Sequence, residues 1–299
     1  MTDEKLNNGR AVALGNFDGM HIGHLAVLEK TVGLSGKGLT PSVMLFDEHS
    51  LKAVLGEAPP RLMTDSERLV FLKKKGLEII TVSFADIKDL TPGEFVDSVL
   101  VKQLDAGAVV CGFNYRFGRG AAGDAQQLRS ICESRGIECI ITDEVLADSL
   151  PVSSTAIRKK IENGGIEAAN RMLGRCFGFT ATVIDGDKRG RTWGFPTINQ
   201  RLPGDMVVPR FGVYQSLVRV DGQEYKGVTN IGSRPTVGTE IVLSETHILD
   251  FNGDLYGKDA EIRLIRFIRP EQKFGSFDEL VLQIKKDCLT VKGGVTEDV

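Results

Sequence analysis

Short apolar runs alternate with amphipathic segments through the first half of the chain. The runs cover 11–14, 42–46, 79–84, 108–112 and 137–142, and each has the length and composition of a strand buried on both faces. Helical periodicity fills the intervals at 21–31, 65–75, 91–103 and 125–135. The third of these opens with Thr91, Pro92 and Glu94: an N-cap, a proline suited to the first helical position, and an acid that can reach back to the cap. Strands separated by helices cannot pair as hairpins, so they predict a parallel sheet covered on both sides. The expected first domain is α/β, a doubly wound Rossmann-like fold.

After about residue 175 the period falls to two. Asp221-Gly222 and Asn252-Gly253 each predict a tight antiparallel hairpin. Ser276 and Glu279 form a capping box ahead of Leu280 and Ile284 on one helical face. The second half therefore predicts a small antiparallel β-barrel with a C-terminal helix. Domain boundaries are expected at 1–168 and 169–299, with the helical stretch 154–173 joining the two.

Composition removes several function classes. Of 299 residues, 41% are apolar and 26% charged, with a net charge of -3. That balance gives no global positive field for nucleic acid or an anionic membrane surface, so neither is an expected partner. The five cysteines form no CxxC pair and read as reduced core thiols. No apolar run approaches the roughly 20 residues of a membrane span, and residues 1–10 do not resemble a signal peptide. A cytoplasmic protein, monomeric or weakly homo-oligomeric, is expected.

Candidate chemistry gathers at two places. Gly15, Asn16, Phe17, Asp18 and Gly19 follow the first strand and lead through Met20 into His21-Ile22-Gly23-His24. Glycines allow close backbone approach, a helix N-terminus attracts anions, and two imidazoles can donate to oxygens that gain charge during phosphoryl or nucleotidyl transfer. The plain alternative is that His21 and His24 only cap the first turn. Ser153, Ser154 and Thr155 are ordinary helix-start hydroxyls, but Arg158 one turn later adds a guanidinium able to hold phosphates. The loop 112–118 after the fourth strand carries Phe113, Asn114, Tyr115 and Phe117. It can present aromatic faces and an amide to a planar ligand, or simply tuck its rings into the core.

The second place is the string 186–199. Gly186, Lys188, Gly190 and Arg191 make a basic glycine-rich loop, and Thr197 and Asn199 supply short oxygen ligands. This suits nucleotide phosphates and Mg²⁺. Farther on, alternation puts Glu245 and His247 on one strand face. A kinase acting on an alcohol needs a placed carboxylate to take the hydroxyl proton, and Glu245 is the candidate.

In order along the chain, GNFDGMHIGH, FDEHS, GFNYRFG, SSTAIR, GDKRGRTWGFPTIN, RFGVY, NIGSRPT, SETHILDF, GDLYGK and FIRPEQKF resemble the bacterial bifunctional riboflavin kinase/FMN adenylyltransferase (FAD synthetase) family over nearly the whole length. The resemblance implies phosphorylation of riboflavin to FMN by the C-terminal domain and adenylylation of FMN to FAD by the N-terminal one. ATP is the co-substrate, Mg²⁺ the metal, and FMN and FAD the product ligands. It further implies that His21 and His24 stabilise the α-phosphate transition state and that Asn114 contacts a nucleotide or flavin phosphate. Ser154, Thr155 and Arg158 would hold the triphosphate, Thr197 and Asn199 would bind Mg²⁺-ATP, and Glu245 would be the base. FDEHS departs from the family's usual FDPHP, placing Glu48 and Ser50 where prolines would stiffen a flavin loop. PTIN replaces the commoner PTAN, with Ile198 expected to point away from the ligands.

Two rivals frame the reading. One is an aminoacyl-tRNA synthetase fragment, since residues 21–24 spell HIGH; no KMSKS-like loop follows, and the barrel would be unexplained. The other is a flavin-binding or sensing protein that keeps a single activity, such as an FMN adenylyltransferase with an inactive kinase domain.

Overall fold

The computed structural model describes residues 9–47, 56–186, 194–236 and 239–293. Within it the chain separates into two units: Met1–Pro59 with Asp65–Ser153, and Pro60–Thr64 with Ser154–Val299.

The first unit is built on strands β1 (Arg10–Leu14), β2 (Thr40–Phe46), β3 (Glu78–Val82), β4 (Ala106–Gly112) and β5 (Glu138–Thr142). Helices α1 (Ile22–Gly33), α2 (Asp65–Lys74), α3 (Pro92–Phe95) and α4 (Ala125–Glu133) connect them, and α3 winds on as a π-helix through Val96–Gln103. All pairings are parallel, in the order β3-β2-β1-β4-β5. β1 is central and fully apolar after Arg10, and its last four residues are buried, as cover on both faces requires. The expected capping box is present: Glu94 N–H donates to Thr91 Oγ1 at 3.3 Å, and Thr91 N–H donates to the Glu94 carboxylate at 2.8 Å. Val12, Leu14, Leu100, Val109 and Leu128 pack in one core with Cys111, Cys132 and Cys139. All five cysteines are free. Hydrogen bonding to Cys139, together with burial, pushes the Cys111 and Cys132 thiols well above their ordinary range, so they behave as inert apolar groups.

Because the order runs β2 and β3 to one side of β1 and β4 and β5 to the other, the direction in which successive strands are added reverses between β1 and β4. Leu14 lies beside Cys111, so the loops after these two strands open next to each other at the switch point where open α/β sheets take ligands.

The second unit begins with α5 (Ser154–Glu162) and α6 (Ile166–Leu173). Six strands follow: β6 (Phe177–Thr182), β7 (Thr197–Arg201), β8 (Gly212–Val220), β9 (Gln223–Thr236), β10 (Thr239–Ile248) and β11 (Asp259–Pro270). They form an antiparallel sheet in the order β6-β11-β8-β9-β10-β7. The sheet curls until its two edges meet. Ile184 N–H donates to Asn199 O at 2.8 Å, and the Gln200 amide donates to Ala181 O at 2.5 Å and Ala260 O at 2.8 Å. The buried face carries a ladder of hydroxyls, with Ser216 to Thr229 at 2.7 Å, Thr229 to Thr246 at 2.9 Å and Ser244 to Thr246 at 3.3 Å. Each of these groups is buried and so needs the partner it has. The segment Pro60–Thr64 is also part of this unit: Arg61 N–H donates to Asp205 O at 2.7 Å, and Val207 N–H to Arg61 O at 2.8 Å.

One expected hairpin is present and one is not. Asp221 and Gly222 both take positive φ, 51° and 76°, as the tight turn between β8 and β9 requires. Asn252-Gly253 makes no such turn, because β10 and β11 are not neighbours: β10 pairs with β9 and β7, while β11 lies between β6 and β8. The dipeptide instead belongs to a longer connection, where the Phe251 ring lies across Gly253.

Helix α7 (Phe277–Gly293) closes the chain. Ser276 Oγ accepts the Glu279 N–H at 3.2 Å, while the Glu279 carboxylate takes the N–H of Gly275, one residue before the cap, at 2.8 Å. Cys288 and Val291 pack on Val213, Val228 and Leu249 of the sheet's other face.

Candidate active sites

In the first unit, the turn from β1 into α1 is held in an uncommon backbone form. Phe17 and Met20 have positive φ, 50° and 42°, as does Gly19 at 79°. For residues with a Cβ this conformation costs energy and persists only where surroundings enforce it. Here the two side chains are wholly buried. His21 is the N-cap of α1, and its Nδ1 accepts the His24 N–H at 3.2 Å. In the neutral ring that bond leaves the proton on Nε2. The two imidazoles stack with centroids 3.6 Å apart and planes 14° from parallel, and the Phe17 ring meets His24 at 5.3 Å. The glycine between them has a reason: a Cβ on Gly23 would stand 3.2 Å from His21 Nδ1. Asp18 is 7% exposed and His21 6%, so both are set into the turn.

The loop after β4 divides its residues. Tyr115 stacks on Phe117, centroids 6.0 Å apart, and both belong to the core; burial pushes the Tyr115 hydroxyl above its ordinary range. Phe113, Asn114 and Arg116 are exposed, and the first two follow β4 directly beside the switch point. A residue that the sequence did not single out is Arg68 of α2. Its guanidinium donates to Asn16 O at 3.2 Å and to Asp65 at 2.7 Å.

Ser154, Thr155 and Arg158 begin α5 in the second unit. Arg158 is 9% exposed and donates through Nε to Pro60 O at 2.6 Å. One arm of this guanidinium therefore ties the helix to the 60–64 segment.

The second unit also holds a cavity of about 360 Å³ between the outer face of the sheet and α7. Register explains its chemistry. Thr197 pairs with His247, and Asn199 with Glu245, which on its other side pairs with Asn230. Alternate residues share a face, so Thr197, Asn199, Asn230, Glu245 and His247 all line the cavity. Ile198 pairs instead with the wholly buried Thr246 on the opposite face, turned away from the cavity as the alternation implied. His247 Nδ1 is 2.8 Å from Pro196 O. Opposite these, Arg269 is held by the buried Asp287 of α7, Nη2 to Oδ2 at 2.8 Å.

Gly186 lies against this row, since a Cβ there would fall 2.3 Å from Asn199 Nδ2. Gly186→Ala must push the Asn199 amide out of place. On the Mg²⁺-ATP role that the family resemblance implies for Asn199, the expected result is a rise in the KM for ATP in riboflavin phosphorylation of about tenfold or more, the size of one lost hydrogen bond to a charged group, with FAD formation from supplied FMN unchanged.

Lys188, Gly190 and Arg191, and also Glu48 and Ser50, lie outside the described residues. Asn230, Arg234, Arg269, Glu271 and Asp287 line the cavity but were not singled out from the sequence. Asn230, Gly232 and Arg234 do alternate along one strand, yet only the register beside Glu245 reveals that they share the cavity face with it. Among the described residues, no cluster of three or more His, Cys, Asp or Glu side chains could hold a metal by itself, and no helix is long and apolar enough to cross a membrane.

Comparison with known proteins gives matches to both halves. The riboflavin kinase family model matches residues 173–293 and the FAD synthetase model residues 3–156. Curated relatives named bifunctional riboflavin kinase/FMN adenylyltransferase include one from Listeria monocytogenes, 39% identical over 96% of this chain and 92% of the relative. Another, from Escherichia coli K12, is 36% identical over 95% and 92%. Among solved structures, one described as a macrolide-efflux protein from Streptococcus pneumoniae is 31% identical, covers 96% of this chain and 95% of that one, and superposes with a TM-score of 0.88.

Proposed function

The chain belongs to the bifunctional riboflavin kinase/FMN adenylyltransferase family, and from that premise we propose how its residues divide two successive transfers. The chain phosphorylates riboflavin to FMN and adenylylates FMN to FAD with release of pyrophosphate. We assign these steps to residues 169–299 and 1–168, ranges that contain the stretches matched by the two family models. The efflux named for the Streptococcus protein is not carried over, and an enzyme with only one activity is not favoured when both models match.

The carrying observation is that Thr197, Asn199 and Glu245, chosen for their chemistry, line one cavity in adjoining rows. In our reading Glu245 accepts the proton of the ribityl 5′-hydroxyl as that oxygen attacks the γ-phosphorus of ATP, and ADP leaves. Thr197 and Asn199 offer a hydroxyl and an amide oxygen. These are hard donors that suit Mg²⁺ when the substrate phosphates complete its shell. When bound, Mg²⁺ would neutralise charge on the transferring phosphate. Gly186 supports Asn199, and we extend the ATP site to Lys188, Gly190 and Arg191.

For the second transfer an FMN phosphate oxygen attacks the α-phosphorus of ATP and pyrophosphate departs. A phosphate monoester is largely ionised near pH 7, so positioning and charge stabilisation suffice. We assign these to His21 and His24 at the N-terminus of α1, with Gly15, Asn16, Phe17, Asp18 and Gly19 as backbone donors or spacers. Asn114 contacts the nucleotide or flavin phosphate, and Ser154, Thr155 and Arg158 hold the triphosphate. The thiols, all unbridged, support a reducing cytoplasmic setting.

The test is direct. The purified chain with riboflavin, ATP and Mg²⁺ should yield FMN and then FAD on chromatography, and supplied FMN should yield FAD alone. Failure to phosphorylate riboflavin would overturn the kinase half.

A further inference from the structure

Asn230, Gly232 and Arg234 are alternate residues of β9 and therefore share its outer face. Asn230 lies beside Glu245 in register, and Arg234, four residues on, reaches back along the face to donate from Nη2 to Glu245 Oε1 at 2.6 Å. Gly232 between them has no side chain. The Glu271 carboxylate occupies that space, because a Cβ on Gly232 would stand 2.5 Å from Glu271 Oε1. Two carboxylates thus share one face of the cavity with one guanidinium, and all three groups line it.

Stability does not account for this ion pair. Its side chains are 41% and 33% exposed, and a pair so open to water gains little while fixing two long side chains. Its effect is geometric. The bond fixes the Glu245 carboxylate through Oε1 and leaves Oε2 to accept a proton. It also offsets the repulsion that the nearby Glu271 would exert on a carboxylate able to swing.

We infer that Arg234 is a positioning residue for phosphate transfer to riboflavin, acting through Glu245. The inference rests on Glu245 being the base. A one-ångström displacement of a reacting group can cost about 10²-fold in rate, so the consequence belongs mainly in kcat rather than in substrate binding.

A double-mutant cycle tests it, with each protein assayed for riboflavin phosphorylation and for FAD formation from supplied FMN. The second activity reports folded, correctly quantified enzyme. Arg234→Met should lower kcat for FMN formation by about 10- to 100-fold while the KM values for riboflavin and ATP change by less than about threefold, the scale of a lost exposed contact. Arg234→Lys, which keeps a cation without the planar fork, should recover part of kcat. In the Glu245→Gln background, Arg234→Met should cause no further loss, because the group it orients no longer accepts a proton. An additive loss in the double variant would show that Arg234 grips phosphate on its own account, and the inference would fall. Unchanged kcat in Arg234→Met with Glu245→Gln inactive would also remove it, leaving the base assignment standing. Glu245→Gln with wild-type kcat would overturn the base assignment and this inference together.

Discussion

Glu245→Gln is expected to reduce riboflavin phosphorylation by about 10²–10⁴-fold, the range supplied by a placed general base, while FAD formation from supplied FMN continues at the parent rate. The substitution keeps shape and nearly the volume while removing the negative charge, and with it both the capacity to take a proton and the charged pairing with Arg234. It should leave the cavity intact, since Glu245 is part of an exposed ion pair with Arg234 and not of the core. The assay follows FMN and FAD separately by chromatography. Loss of both activities in a folded protein would show that the two chemistries do not divide between the halves as proposed.

The complementary result is for His24→Ala, which should let riboflavin proceed to FMN and stop there. Removing one donor from a site that stabilises developing charge costs about 10²–10³-fold, and FMN should accumulate accordingly. His24 is a cleaner probe than His21. His21 caps α1 by accepting the His24 N–H, so changing it mixes catalysis with the loss of a cap, a cost of about 1 kcal/mol. In His24→Ala the backbone N–H that His21 accepts is retained, and only the stacked ring disappears. Unchanged FAD output would remove His24 from the mechanism.

The architecture was readable from sequence where local pattern alone determines it. Buried strands between amphipathic helices leave few arrangements besides a parallel sheet, and Thr91 with Glu94 marked a real helix start. Asn252-Gly253 misled because a turn dipeptide reports local preference and says nothing about which strands become neighbours; β11 crosses to pair with β8 and β6. The same limit governs the sites. Glu245 and Asn199 stand out by residue type and line one cavity, but Asn230, Arg234 and Glu271 join them only through register and through the space above Gly232. The spacing that suggests Arg158 as a phosphate ligand does not reveal that its Nε donates to Pro60 O. Of the two roles open to the 112–118 loop, Tyr115 and Phe117 take the second, with both rings packed in the core, while Phe113 and Asn114 are exposed.

The five residues Pro60–Thr64 have a consequence for anyone dividing this chain. They are translated some ninety positions before the helix whose Arg158 they receive, so the C-terminal half is discontinuous in sequence. A protein started at residue 154 would leave Val207 N–H and Asp205 O without the Arg61 backbone that now satisfies them, and would strand the Arg158 guanidinium without its carbonyl. Sequence modularity and folding autonomy therefore part company here, and a peptide spanning 60–64 is the missing piece that a severed half would need to be given back.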